Sequence, residues 1–454
     1  KGFQFKLVGD NFNKFYNESL PFNLTGDQKK VIKEIRKDFN SGKQMNRLLQ
    51  GDVGSGKTIV SLMIILIAID NGYQSCILAP TEILAQQHFD SISKLLEKLN
   101  VNAELLTGST PTKSRKNIHQ KLLNNEIQIL IGTHAILEDV VKFKNLGLAI
   151  IDEQHRFGVA QRAKLWKKNA SPPHILVMTA TPIPRTLAMS VYGDLDISII
   201  KELPPGRKKT ITVHRYDKNR LSVYKFLKDQ IILGRQIYIV YPLINESEKL
   251  DYKDLVDGYE SMLRDFPRPE YQVGILHGKM KSLDKSLEME RFINNKTQIL
   301  VSTTVIEVGV NVPNASVMMI ESSERFGLSQ LHQLRGRVGR GNEESYCILM
   351  TKDNLSNDAK TRTDTMVQID DGFKLSEVDL KLRGPGDLLG TKQSGILKFK
   401  IADIINDHDI LTKARDCVSS ILSNDPKLKL SENSSIREYI SLSGKSKNLW
   451  RYIS

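Results

Sequence analysis

The sequence predicts an α/β protein made of two doubly wound parallel-sheet lobes in tandem, followed by a small, mostly helical C-terminal region. Three observations predict it. Short aliphatic runs alternate with helical patterns from Cys76 to Met178 and again from Ile237 to Leu349, as parallel strands do when helices cover both faces of their sheet. The Pro/Gly cluster Leu203-Pro204-Pro205-Gly206-Arg207-Lys208-Lys209 interrupts both patterns and reads as an interdomain linker. A glycine-rich segment, Gly51-Asp52-Val53-Gly54-Ser55-Gly56-Lys57-Thr58, stands between the apolar pair Leu48-Leu49 and the apolar run Ile59 to Ile69. The boundaries that follow are 1–24 as a linker or the tail of a missing N-terminal domain, 25–205 as the first lobe, 206–370 as the second, and 371–454 as the C-terminal region.

Strand, glycine loop and helix in that order form a phosphate cradle. Glycines 51, 54 and 56 let the backbone take positive φ and turn its N–H groups toward an anion, and the helix N-terminus adds partial positive charge. Lys57 reaches β- and γ-phosphates, and Thr58 offers a hydroxyl to Mg²⁺. A glycine turn ahead of a buried helix is the structural alternative, but both flanks favour a nucleoside triphosphate site. Upstream, Thr25 and Gln28 occupy the Ncap and N3 positions of a helix carrying Val31, Ile32 and Ile35, so a capping box accounts for Gln28.

Composition sets the class. A chain of 454 residues needs more than one core, and 40% hydrophobic with 26% charged residues is globular. No apolar run approaches the ~20 residues of a membrane span. Cys76, Cys347 and Cys417 are odd in number and far apart, which argues against a disulfide framework or zinc cluster and fits a reducing, cytoplasmic setting. Lys and Arg exceed Asp and Glu by 65 to 52, a net charge of +13 that attracts a polyanion, although a solvated lysine surface gives the same sum. Residues 1–10 contain neither an apolar signal core nor an initiator Met, and the expectation is a fragment of a longer protein.

In parallel α/β sheets, function collects at the strand C-termini. Those of the first lobe read Pro80-Thr81-Glu82, Gly132-Thr133-His134, Asp152-Glu153-Gln154-His155 and Thr179-Ala180-Thr181-Pro182. Carboxylates ending a buried strand beside a phosphate loop are costly unless they serve the metal and the attacking water. Asp152 is therefore expected to hold Mg²⁺ and Glu153 to orient water. The second series has no phosphate loop of its own. It carries Gln330 to Gly341, in which Arg337 and Arg340 stand three apart, one helical turn, so that both guanidinium groups face the same γ-phosphate. Arginines delivered from a second lobe make hydrolysis depend on closure.

These segments, together with Thr303 to Pro313 and in this order, resemble a superfamily 2 helicase with two RecA-like lobes. Three longer stretches, Asp152 to Val159, Thr179 to Thr186 and Leu380 to Gly390, resemble bacterial RecG over roughly residues 20–410. Transcription-repair coupling factor shares much of the pattern, but usually has Glu before Gln where this chain has Gln154-His155.

The RecG resemblance implies an ATP-dependent helicase that remodels branched, double-stranded DNA with ATP and Mg²⁺. It also implies action as a monomer, contact with a single-strand-binding protein and no membrane partner. It implies that Gln28 reads adenine, and that Arg362, Arg383 and Gln393 belong to a helical hairpin and loop that turn lobe closure into movement on DNA. Arg383 precedes Gly384-Pro385-Gly386, a break where a hinge is physically sensible. Asn311 departs from the usual Asp of its motif, and nothing before residue 20 forms the wedge domain that grips a fork. The alternatives are a fragment of transcription-repair coupling factor, or an ATPase module acting on a protein partner.

Overall fold

The computed structural model describes residues 2–20, 22–153, 165, 168, 171–181, 195–204, 208–242, 248–303, 312–339, 341, 343–388 and 407–442. The first lobe contains strands β1 (Asn46–Gly51), β2 (Gln74–Leu78), β3 (Ala103–Leu106), β4 (Ile129–Gly132), β5 (Leu146–Asp152), β6 (His174–Thr179) and β7 (Asp196–Ile200). They form one sheet in the order β3-β4-β2-β5-β6-β1-β7, with every ladder parallel. Helices α1 (Asp10–Lys14), α2 (Gly26–Asn40), α3 (Lys57–Asp70), α4 (Glu82–Leu96) and α5 (Thr112–Leu123) accompany it. All ten residues from Ile59 to Ala68 of α3 are buried, so this helix is apolar all round because it lies inside the lobe.

The second lobe has strands β8 (Thr210–Tyr216), β9 (Gln236–Tyr241), β10 (Val273–Leu276), β11 (Ile299–Thr303), β12 (Ala315–Ile320) and β13 (Ser345–Thr351). Their order is β10-β11-β9-β12-β13-β8, again parallel throughout. Its helices are α6 (Arg220–Ile232), α7 (Glu248–Asp265), α8 (Ser282–Ile293) and α9 (Leu328–Arg335). Four more follow: α10 (Asn357–Gln368), α11 (Gly372–Leu388), α12 (His408–Asn424) and α13 (Ser434–Leu442). The predicted α/β class and its helical C-terminal region thus stand. Strands β3, β7 and β8 are the additions, each with exposed or half-buried positions that weaken an apolar run.

The two lobes repeat one another in detail. Leu122 to Thr133 reads LLNNEIQILIGT and Phe292 to Thr303 reads FINNKTQILVST. Asn125 and Asn295 both take left-handed φ, 65° and 57°, at the turn between helix and strand. The Gln74 amide donates to the carbonyls of Leu122 and Ile127 at 3.0 and 2.7 Å, and Gln236 donates to those of Phe292 and Thr297 at 2.6 and 2.7 Å. Each glutamine ties its strand to the same point of its own repeat.

Residues 2–20, expected as linker or tail, pack along the first lobe. Phe5 and Phe15 are buried, and the Asp70 carboxylate accepts from the N–H groups of Gly9, Asn11 and Phe12. His174 accepts from the Met45 N–H at Nδ1, at 2.9 Å, and its Nε2 donates to the Phe3 carbonyl at 3.0 Å. Scattered aromatic anchors like these create no period to read. A second difference concerns the expected break at Gly384-Pro385-Gly386: α11 runs through it to Leu388. Proline removes a single i→i−4 bond, and the chain continues helically past it.

Candidate functional site

The phosphate loop follows β1 and opens α3. Gly54 and Gly56 take φ of 79° and 87°, whereas Gly51 is needed for space, since a Cβ there would lie 2.5 Å from Ser55 Oγ. The Lys57 ammonium donates to the carbonyls of Gly51 and Asp52 at 2.7 and 3.0 Å, which holds its charge across the loop. Gln28 closes the capping box with Thr25, its Oε1 accepting from the Thr25 N–H at 3.0 Å. Its Nε2 donates to the Ser55 carbonyl at 2.8 Å, so one buried amide fastens the start of α2 to the phosphate loop.

Asp152 is the last residue of β5 and Glu153 the first beyond it, at φ 52°. A left-handed glutamate costs about 1–2 kcal/mol, a strain typical of functional turns. Burial by itself would raise the Asp152 pKa, but a hydrogen bond from His88, the Lys57 charge and the Glu153 N–H hold it below the usual carboxylate range. Glu153 goes the other way. Burial and the neighbouring Asp152 charge push it up to about 7, against Lys57, Arg337 and the Ala180 N–H. One carboxylate is kept ionised and the other poised near neutrality, a division suited to a cation ligand and a general base.

The second lobe meets this site through α9. His332 Nε2 lies 3.1 Å from Asp52 Oδ1, and the Gln333 amide donates to Thr181 Oγ1 at 3.1 Å. Thr181 is itself tied to Thr179, hydroxyl to hydroxyl, at 3.0 Å. Gly336 follows the helix, where a Cβ would stand 3.0 Å from the Val53 side chain. Arg337 is buried and lies near enough to Glu153 to lower its pKa. Of the expected one-turn pair, Arg337 lies past the end of α9 at Arg335, with Gly339 at φ 79°, and Arg340 lies outside the described residues.

Of the predicted residues, the structure gathers Gln28, Gly51 to Thr58, Asp152, Glu153 and Arg337 around one cleft. Arg340, Gln393, Asn311 and the Gln154-His155 pair lie outside the described residues, as does the side chain of Arg383, which is on α11. Arg362, on α10, donates to the carbonyls of Phe326 and Glu324 at 3.4 and 3.0 Å, which fastens α10 to the segment after β12. Three contacts were not anticipated: His88 with Asp152, His332 with Asp52, and Arg335. The Arg335 guanidinium reaches His332 Nδ1 at 3.0 Å and the carbonyls of Met366, Ile369 and Asp370 at 3.0, 3.0 and 2.9 Å. The readable signal was the i, i+3 spacing of His332 and Arg335, and a histidine in the otherwise apolar row Leu84, His88, Ile92, Leu96.

One phosphate loop serving two parallel-sheet lobes, with the second lobe's helix set against it, is the superfamily 2 helicase architecture. Comparison with known proteins narrows this. The DEAD/DEAH box helicase family matches residues 25–190, the helicase conserved C-terminal domain 222–342, and the C-terminal part of RecG domain 3 residues 369–454. The chain is 50% identical over 421 residues to the ATP-dependent DNA helicase RecG of Synechocystis sp., covering 93% of this chain and 50% of that protein. It is also 50% identical to RecG of Bacillus subtilis, over 94% of this chain and 62% of the relative. A solved structure of RecG bound to a three-way DNA junction matches with a TM-score of 0.76 and 43% identity, over 90% of this chain and 53% of the other. Over more than nine-tenths of its length the chain is similar to RecG, and it spans half to three-fifths of the length of these relatives.

Proposed function

We propose that this chain is the ATP-driven motor of a RecG-type enzyme, which translocates on double-stranded DNA and remodels branched substrates by junction branch migration and fork reversal. The observation that carries the reading is the convergence of Lys57 and Glu153 of the first lobe with Arg337 of the second. Hydrolysis then requires both lobes, and each turnover opens and closes the cleft. The names of the relatives, and the three-way junction in the related structure, favour DNA over a protein partner.

In this reading the loop Gly51 to Thr58 wraps the phosphates, with Lys57 compensating their charge. The residues fit a bound Mg²⁺: a carboxylate kept ionised at a strand end faces a loop that ends in a threonine hydroxyl. Asp152 and Thr58 would hold the ion, which supplies charge compensation on the phosphates. Glu153 orients and deprotonates water, and Arg337 with Arg340 stabilises charge on the transferred group. Gln28 would have to exchange part of its present bonding to read adenine. Thr133 and Thr303, at equivalent strand ends, have buried hydroxyls without hydrogen-bond partners among the described residues. The net charge of +13 suits a DNA partner. Action as a monomer, contact with a single-strand-binding protein, and a cytoplasmic setting belong to the same proposal. Among the described residues no helix is long and apolar enough to cross a membrane.

The test compares ATP hydrolysis with and without three-way junction DNA. Lys57→Ala should weaken nucleotide binding, and Glu153→Gln should keep binding and suppress DNA-stimulated turnover by about 100-fold or more. Hydrolysis indifferent to DNA would favour a protein-acting ATPase, and parental turnover in Glu153→Gln would remove its catalytic role.

A further inference from the structure

We propose that His88 is a positioning residue for the metal-holding carboxylate of Asp152. The inference rests on the assignment of Asp152 made above. His88 projects from α4, the helix after β2, and β2 is the sheet neighbour of β5. Its Nε2 lies 2.8 Å from Asp152 Oδ2, and its ring is buried, with 8% of the residue exposed. An ionised carboxylate has no hydrogen to give, so Nε2 carries the hydrogen and donates it.

Folding alone does not explain a histidine here. The row Leu84, Ile92 and Leu96 on the same helix is apolar and buried, and a leucine at position 88 would continue it without a polar atom to satisfy. What the imidazole adds is a second anchor. The Glu153 N–H donates to Oδ1 at 3.1 Å and His88 to Oδ2, so each carboxylate oxygen is held by a different element. The χ2 torsion of aspartate is otherwise broad. With both oxygens tethered, the carboxylate cannot swing, and each oxygen keeps a lone pair for a cation or its water. The orientation of Asp152 is thereby set by α4, whose first residue, Glu82, accepts from the Ser109 N–H at 3.0 Å in the loop after β3.

The test measures binding of a fluorescent ADP analogue to the parent and to His88→Leu, His88→Gln, His88→Asn and Asp152→Asn, each at saturating Mg²⁺ and with the metal chelated. His88→Leu should retain the metal-free affinity and lose about tenfold or more of the gain conferred by Mg²⁺. His88→Gln carries an amide nitrogen as far from Cβ as Nε2, and should recover that gain to within about threefold. His88→Asn is too short to reach and should not recover it. If His88→Leu fails to fold, the contrast between glutamine and asparagine decides alone. A full gain in His88→Leu or His88→Asn, beside a lost gain in Asp152→Asn, overturns the role of His88 and leaves the site standing. Equal loss in the glutamine and asparagine variants also overturns it. A full gain in Asp152→Asn overturns the metal assignment, and the role of His88 with it.

Discussion

Asp52 and His332 stand 280 residues apart in sequence and share a hydrogen bond of 3.1 Å across the cleft between the lobes. A guanidinium only donates, so Arg335 fixes His332 Nδ1 as the acceptor and leaves Nε2–H for Asp52. Burial alone would raise the Asp52 pKa, but this bond and the charges of Lys57 and Arg335 bring it below the ordinary value. A continuous path therefore runs from the phosphate loop through α9 to the carbonyls that end α10. His332→Ala and Asp52→Ala should each lower kcat/KM for ATP by roughly 5- to 30-fold, as expected for a charged hydrogen bond of about 1–2 kcal/mol. A double-mutant cycle should show coupling of at least ~0.5 kcal/mol, and strict additivity of the two losses would sink the path.

Gly56 carries a steric prediction. At φ 87° an L side chain is strained, and a Cβ would stand 2.2 Å from Gln28 Nε2. Gly56→Ala must displace the amide that fastens α2 to the loop, so nucleotide affinity should fall by about tenfold or more, with a stability loss on the order of 1–2 kcal/mol. Calorimetric titration with nucleotide, beside thermal melting, separates the two effects. Parental affinity would show that the loop tolerates a side chain there.

How much of this was legible varies with the physics of each element. The phosphate loop, the parallel strands and the Asp152-Glu153 pair were readable because local chemistry dictates them: glycine torsions, aliphatic runs, and carboxylates at a buried strand end. The duplication of Asn124-Asn125 in Asn294-Asn295 was equally present in the sequence, and needed one half compared with the other. Arg337 was expected on a helical turn, and it lies past the end of α9 at Arg335. His88 and His332 were out of reach in a different way. Each bonds a carboxylate far away in sequence, and no local pattern encodes that partner. Arg362, expected in the element that couples lobe closure to movement on DNA, bonds two carbonyls of the segment after β12, because a long cation near unpaired carbonyls satisfies them.

His174 gives a pH dependence. Burial depresses its pKa to about 4 from an ordinary 6.5, only partly opposed by the Phe3 carbonyl. The folded state therefore keeps the ring neutral while the unfolded chain protonates. The contribution is fully present above pH 6.5 and is lost as pH falls from there toward about 4. The limiting slope is ~1.4 kcal/mol per pH unit, and the total is no more than about 3 kcal/mol. Urea unfolding between pH 7.5 and 4.5 on the parent and His174→Gln isolates this from carboxylate titration. The stability difference between them should shrink on acidification, and a constant difference would contradict a neutral buried ring.

Arg362 and Arg383 separate anchoring from transmission. Arg362 is half-buried, with its guanidinium on the carbonyls of Glu324 and Phe326, so its removal leaves those carbonyls short of a donor and loosens α10 from the second lobe. Arg362→Ala should cost about 1–3 kcal/mol in unfolding free energy. Hydrolysis and DNA movement should then decline together, since α10 also holds Arg335 through Met366. Arg383, on α11 ahead of Gly384-Pro385-Gly386, is proposed to act on DNA. Arg383→Ala should therefore leave stability within ~0.5 kcal/mol of the parent. DNA-stimulated hydrolysis should persist while branch migration is lost, and Gln393→Ala should behave the same way. Both activities are measured on the same preparations, with melting as the control. Loss of hydrolysis and movement in equal measure by Arg383→Ala, or loss of neither, would refute transmission. A fully stable Arg362→Ala that lost movement alone would return that residue to the transmission role.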